Sequence, residues 1–221
     1  NCIKLDDMSI NILIPYKEKF EKQNASSVSI TVKNNMNFSK MKDHILVYGR
    51  KIQNPMFKKN YIGLKNSKNF FKSKNINLAE QMCHKINSNQ DKNVIIEIHN
   101  RPYLIDIIDK LVKSKKLVLY FHNDPLEMKG SKNISERKAL LKKVDYIICV
   151  SEFIKKKFMH GLNEFTNKIL VIHNGVDRKL KVIPRKKKKI IFVGRLVKEK
   201  GVHHFVKAIS NVSRNFKNWE Y

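Results

Sequence analysis

Seven short apolar runs punctuate this chain, with longer helical patterns between them: Ile10 to Ile14, Ile45 to Tyr48, Val94 to Ile98, Leu117 to Phe121, Tyr146 to Val150, Ile169 to Ile172 and Ile190 to Val193. Each is about the length of a strand, and most are rich in Ile and Val. Runs without a polar alternation suit strands buried on both faces of a parallel sheet. Tyr103 to Lys113 follows Pro102, a favourable helix start, and places Leu104, Ile107, Ile108 and Leu111 on one face. Asn133 followed by Glu136 predicts a capping box, with a helix running through Leu141. Ser151 predicts an N-cap for a helix carrying Phe153, Ile154 and Phe158, and Val202 to Val212 predicts another helix. Strands alternating with helices imply an α/β chain with a doubly wound parallel sheet.

The stretch Gly49 to Ser73 is polar, basic and irregular, and no element is assigned to it. Lys181 to Lys189 holds Pro184 and the run Arg185 to Lys189, and reads as a basic linker between domains. With 221 residues there is room for one large domain, or for one domain and part of a second. No run of eighteen apolar residues occurs. The first apolar run is too short for a secretory signal, so a cytoplasmic location is the expectation. Met8 is expected as the natural start, with residues 1 to 7 preceding it. Cys2, Cys83 and Cys149 are odd in number and widely spaced, which describes neither a disulfide scaffold nor a zinc site. The net charge of +27 comes from lysines spread along the whole chain. Dispersal favours compositional bias and solubility over a nucleic-acid site, and leaves peripheral contact with an anionic membrane surface open.

In open α/β sheets, ligands bind beyond the carboxyl ends of the strands. Those ends are polar here. His99, Asn100 and Arg101 follow one run, and His122, Asn123 and Asp124 another. Ser151 and Glu152 come next, then His173, Asn174 and Gly175, and finally Gly194, Arg195 and Lys200. In this topology they converge on one cleft, which points to a ligand site. Each also has a plainer reading: Ser151 as a cap, or Asn174 with Gly175 as a turn. His203 and His204 are neighbours on a helix, expected to point in different directions and not to chelate one metal. His99 and His122 could face each other, without an apparent third ligand. No Asp-x-Asp, G-x-S-x-G or P-loop occurs, so hydrolase and nucleotide-triphosphatase chemistry lacks its residues.

Two segments carry a family pattern. One is His173-Asn174-Gly175-Val176-Asp177. The other is Phe192-Val193-Gly194-Arg195-Leu196, leading through Lys198 and Glu199 to Lys200-Gly201-Val202. Their order resembles the family-4 retaining glycosyltransferases of GT-B fold. Phe121-His122-Asn123-Asp124, Asp145 to Glu152, and Ile12 to Phe20 leading into Ala25-Ser26-Ser27-Val28-Ser29 add to the likeness. The chemistry of the second segment agrees. Gly194 lets a ligand approach the backbone, Arg195 offers a planar fork of donors and Lys200 a point charge. Gly201 opens a helix whose free N–H groups favour an anion.

The resemblance implies a Rossmann-like N-terminal, acceptor-side domain over residues 1–183, a basic linker over 184–189, and the first β-α unit of a donor-binding, Rossmann-like C-terminal domain over 190–221. The paired glutamates of the family are expected beyond Tyr221, and this chain alone is expected to be inactive. It also implies sugar transfer with retention from a nucleotide-sugar donor to a glycan or lipid-linked acceptor, in cell-surface polysaccharide synthesis. His122 is the candidate catalytic residue. Gly194, Arg195, Lys200 and Gly201 would bind the donor diphosphate. Ser26, Ser27, Asn100, Arg101, Asn123, Asp124, Ser151 and Asn174 would line the substrate cleft. Ser26 and Ser27 stand where many relatives carry glycines. Neither cofactor nor metal is expected, since the nucleotide-sugar is a substrate. A non-transferring GT-B enzyme, such as a sugar-nucleotide epimerase, and a basic nucleic-acid-binding module remain as alternatives.

Overall fold

The structure is a computed structural model and describes residues 8–65, 72–89, 93–113, 115–163, 167–176 and 182–221. Cys2, Asp177 and Lys181 lie outside the described residues, as do residues 1 to 7. The chain divides into two compact units, residues 1–177 and 178–221.

The first unit is built on seven parallel strands. They are β1 (Met8–Leu13), β2 (Ile45–Arg50), β3 (Tyr61–Leu64), β4 (Asn93–His99), β5 (Lys116–Phe121), β6 (Tyr146–Cys149) and β7 (Ile169–Val171). Their order in the sheet is β3-β2-β1-β4-β5-β6-β7, and every ladder is parallel. This is the doubly wound, Rossmann-like α/β architecture. The chain builds outward from β1 to β3, then returns to lay β4 on the other side of β1. That reversal opens a crevice between the loops following β1 and β4.

Alternation within each strand feeds two cores. Ile12, Ile14, Ile45 and Val47 point to one face. There they meet Val32 and Met36 of α1 (Ser27–Phe38). Leu13, Tyr48, Ile96, Ile98, Leu119 and Phe121 point to the other. That face is covered by α2 (Lys74–Ser88), α3 (Ile105–Leu111), α4 (Ile134–Lys143) and α5 (Glu152–Met159). On α2 the residues Leu78, Ala79, Met82, Cys83 and Ile86 recur at helical spacing and are buried. Met82 is fully buried; truncating such a side chain to Ala costs about 2–5 kcal/mol. Cys83 and Cys149 are buried free thiols in this core. Burial pushes both up to about 12, and they are small apolar fillers rather than nucleophiles.

Local chemistry sets the helix starts. Asn133 Oδ1 accepts from the Glu136 N–H at 2.8 Å, and the Glu136 carboxylate reaches back to the Asn133 N–H, closing the predicted capping box. Ser151 Oγ accepts from the Ile154 N–H at 3.3 Å, as a cap should. The helix expected over Tyr103 to Lys113 begins instead as a 3-10 turn, Pro102–Leu104, before α3. Pro102 has no N–H to offer and suits that first turn.

The second unit carries a 3-10 turn, Lys198–Lys200, and α6 (Val202–Val212), which matches the predicted helix. The strand expected at Ile190 to Val193 does not form. An isolated bridge between Lys189 and Glu220 is what the described residues show there. A strand is defined by its neighbours, and no ladder flanks this run. Phe192 packs on Phe205 of α6 at 5.5 Å, and no described side chain in this unit is fully buried. Among the described residues, no helix is long and apolar enough to cross a membrane.

Candidate functional site

The crevice beside β1 and β4 gathers the polar ends of the strands. On β4, Glu97 and His99 are two residues apart and share a face. Glu97 Oε1 lies 2.7 Å from His99 Nε2, and His99 Nδ1 lies 2.7 Å from His122 Nε2, just past β5. His99 is fully buried, and its ring stacks on Tyr120 at 4.9 Å. The three side chains form a hydrogen-bonded chain leading out of the sheet to His122.

Asn100 makes the corner that aligns His122. It alone among the described non-glycine residues has positive φ, at 52°. That conformation is tolerated best by Asn and Asp among residues with a side chain. Its Oδ1 accepts the His122 N–H at 2.8 Å, and its own N–H donates to the Tyr120 carbonyl. Its carbonyl accepts from Arg101 Nη1 at 2.6 Å. Asn100 therefore organises the turn as well as lining it.

The loop after β1 brings a residue that the sequence reading does not single out. Burial raises the Glu18 carboxyl, against the lowering effects of the Arg101 charge and the Ser29 backbone N–H. Glu18 Oε2 has no hydrogen-bond partner, and neither do the buried hydroxyls of Ser26 and Ser29. Ser26 starts α1 in an extended conformation without a side-chain cap. Thr31 Oγ1 donates to the Ser27 carbonyl at 2.9 Å. The polar mouth at the start of α1 thus consists of Glu18, Ser26, Ser29 and Arg101.

Other predicted residues are placed differently. Asp124 Oδ1 accepts the Leu126 N–H at 2.9 Å, and its Oδ2 pairs with Lys157 at 3.3 Å, so Asp124 holds its own turn. Ser151 caps α5. Asn123 and Asn174 are exposed. The neighbouring Gly175 carbonyl accepts from Asn34 Nδ2 at 3.3 Å, linking β7's exit to α1.

In the second unit, Arg195 and Lys200 are exposed. An added Cβ on Gly194 would sit 3.9 Å from Lys200 Cβ, so the backbone at Gly194 and the stem of Lys200 are close. Gly201 has φ of 70°, closing the 3-10 turn and opening α6. No acidic side chain occupies the first turn of α6. These are conditions for holding an anion. The His203 and His204 rings lie 4.0 Å apart, closer than expected for side chains pointing different ways. No group of three metal-ligating side chains exists among the described residues.

Burial holds the His122 imidazole down to about 3. In the unfolded chain it would titrate near the ordinary value of about 6.5. Between these values the unfolded chain binds a proton that the fold refuses. Stability should therefore fall as pH drops from about 6.5 toward 3, by an amount on the order of a few kcal/mol. The half-buried Glu18, whose carboxyl is raised, acts in the opposite sense and offsets part of the fall. Urea melts from neutral pH to pH 4 check this: His122→Asn should flatten the decline. Equal slopes for variant and wild type would contradict it.

Comparisons with known proteins find similarity to glycosyltransferases. Residues 82–180 match the family model described as Glycosyltransferase Family 4, and residues 175–221 match Glycosyl transferases group 1. The chain is 28% identical over 136 residues to "Putative glycosyltransferase YtcC" of Bacillus subtilis (strain 168), covering 53% of this chain and 33% of that protein. It is 37% identical over 73 residues to "Uncharacterized glycosyltransferase MJ1178" of Methanocaldococcus jannaschii, covering 33% of this chain and 20% of that protein. The matched regions thus span a third or less of these relatives' lengths. Residues 82–221 are thus similar to glycosyltransferases, and the all-parallel α/β sheet is consistent with the Rossmann-like domains of GT-B glycosyltransferases.

Proposed function

From the premise of two glycosyltransferase family matches in tandem, we propose that the protein transfers a sugar from a nucleotide-sugar to a glycan or lipid-linked acceptor, with retention of configuration. The observation that carries this reading is the order of the matches, the second of which covers Gly194, Arg195, Lys200 and Gly201 at the start of α6. In this reading residues 1–183 serve the acceptor, residues 184–189 link, and residues 190–221 begin the donor-binding part. Arg195, Lys200 and the free N–H groups of α6 take the charge of the departing nucleoside diphosphate. Ser26, Ser27, Asn100 and Arg101 border the acceptor, and His122 contacts the donor sugar. The family-4 retaining class is the closest fit to the sequence pattern. The basic surface would hold the protein against an anionic cytoplasmic membrane face while the acceptor is extended.

Protein cations suffice for the diphosphate in this scheme, so no metal or cofactor takes part. The test is calorimetric titration of the natural full-length protein with UDP and with GDP, with and without a chelator. At least one should bind, with the same affinity in both conditions. Loss of binding on chelation would remove the protein cations from their assigned role, and absence of binding by either would contradict the donor site.

A further inference from the structure

The chain Glu97–His99–His122 has a polarity that follows from its chemistry, and it determines what His122 can recognise. A carboxylate oxygen only accepts hydrogen bonds. Glu97 Oε1, 2.7 Å from His99 Nε2, therefore requires the His99 proton on Nε2. A neutral His99 then has a bare Nδ1, which can only accept. Its neighbour at 2.7 Å, His122 Nε2, must supply the proton. In the neutral His122 this leaves Nδ1 with a lone pair and no proton. Among the described residues nothing hydrogen-bonds to that Nδ1. A doubly protonated His99 would reverse the polarity. That requires a cation on a side chain with 0% exposure, where desolvation costs several kcal/mol. The Glu97 carboxylate at 2.7 Å and stacking on Tyr120 at 4.9 Å offset part of this, but the desolvation of a buried ion pair can exceed its Coulombic gain.

We infer that Glu97 and His99 are positioning residues that hold His122 in its Nε2-protonated tautomer, so that its Nδ1 accepts a hydrogen bond from a hydroxyl of the bound sugar and cannot donate one to a phosphate. The assignment of the partner as a sugar rests on the function proposed above; the tautomer does not. The arrangement follows a general rule for histidine, that the bond made by one ring nitrogen fixes the role of the other. Here the rule operates twice in series, carrying the polarity of a carboxylate on β4 across to a residue at the end of β5. Asn100 complements it by fixing the backbone of His122 through a 2.8 Å bond. Orientation and protonation of one ring are thus set by two separate contacts from the same strand end. Phosphate recognition is left to Arg195 and Lys200, which are permanent donors.

Long-range 1H–15N spectra of 15N-labelled full-length protein at neutral pH read the tautomer directly. Peaks are assigned by comparison with His122→Asn and His99→Gln. The expected result is a His122 Nε2 in the protonated range and a Nδ1 in the unprotonated range, unchanged on addition of inorganic pyrophosphate. Glu97→Leu should move both His122 resonances toward the averaged position of mixed tautomers. A His122 protonated on Nδ1 in the wild type, or driven there by pyrophosphate, would overturn the inference. Because the wild-type spectrum decides, poor folding of Glu97→Leu does not rescue it. Failure to transfer sugar would strike the proposed function and leave the tautomer measurement unaffected.

Discussion

Replacing Arg137 with Ala should destabilise the first unit by about 3–5 kcal/mol, through the loss of three hydrogen bonds from a charged group. Arg137 lies on α4 and is only 1% exposed. Its Nη1 donates to the Ser131 carbonyl at 3.2 Å and to the Lys132 carbonyl at 3.0 Å. Its Nη2 donates to the His160 carbonyl beyond α5. Nε has no partner. One planar group thus ties the loop before α4 to the turn after α5, and the neighbouring Glu136 carboxylate favours its charge. Removing the guanidinium leaves one buried and two part-buried acceptors without donors, each worth about 1–3 kcal/mol where water does not replace it. For a unit of this size the loss corresponds to a fall in Tm of roughly 10 °C. Arg137→Lys should recover part of it, since an ammonium cannot span the three carbonyls as a fork does. A thermal melt of Arg137→Ala within 2 °C of wild type, on the order of 1 kcal/mol or less, would show that the carbonyls find other donors.

In the natural full-length protein, Arg195→Ala should lower kcat/KM by on the order of 100-fold, about 3 kcal/mol, with kcat reduced at least as much as KM is raised. The reasoning is differential. Negative charge on the diphosphate grows as the bond to the sugar breaks, so a preorganised donor is worth more in the transition state than in the bound substrate. Arg195 is exposed and stands between Gly194 and the start of α6, whose first turn holds no acidic side chain. Lys200→Ala should cost less, because a flexible point charge loses more freedom on binding. A change only in KM would make Arg195 a ground-state anchor; an unchanged kcat/KM would remove it from the site.

How far the sequence announces this molecule depends on which element is considered. The strands β1, β4, β5 and β6 are buried on both faces, so their apolar runs stand out. The strand β3 does not: Tyr61–Leu64 has four residues, contains Gly63 and lies at the edge of the sheet within a polar, basic stretch. Helix α1 is also obscured, because it buries Ser29 and Thr31 beside Val28, Val32 and Met36, and its apolar stripe is thin. Helix α2 carries a clear helical spacing from Leu78 to Ile86 that is legible in the sequence alone. The run at Ile190 to Val193 has the composition of a strand, but composition supplies no partner strand.

At the site, the strand-end rule finds His99, Asn100, Arg101 and His122 because topology alone brings those ends together. It also collects Asp124 and Ser151, whose side chains turn back to cap their own helical turns. Glu97 leaves a signal that could have been used, being the one acidic residue inside an otherwise apolar strand. Glu18 leaves none: it reaches the start of α1 only through the path of the loop after β1, and its neighbours Ser29 and Arg101 are remote in sequence.

The most direct measurement of the central claim follows sugar and nucleotide together. The full-length protein is incubated with isotopically labelled UDP- and GDP-sugars and a lipid-linked acceptor. Released nucleoside diphosphate and the new glycoside are quantified, with the anomeric configuration assigned by NMR. The expected result is one nucleoside diphosphate released per glycosidic bond formed, with the donor's anomeric configuration kept. An isomerised sugar-nucleotide without transfer, or no consumption of any donor, would contradict a glycosyltransferase, and an inverted product would contradict retention.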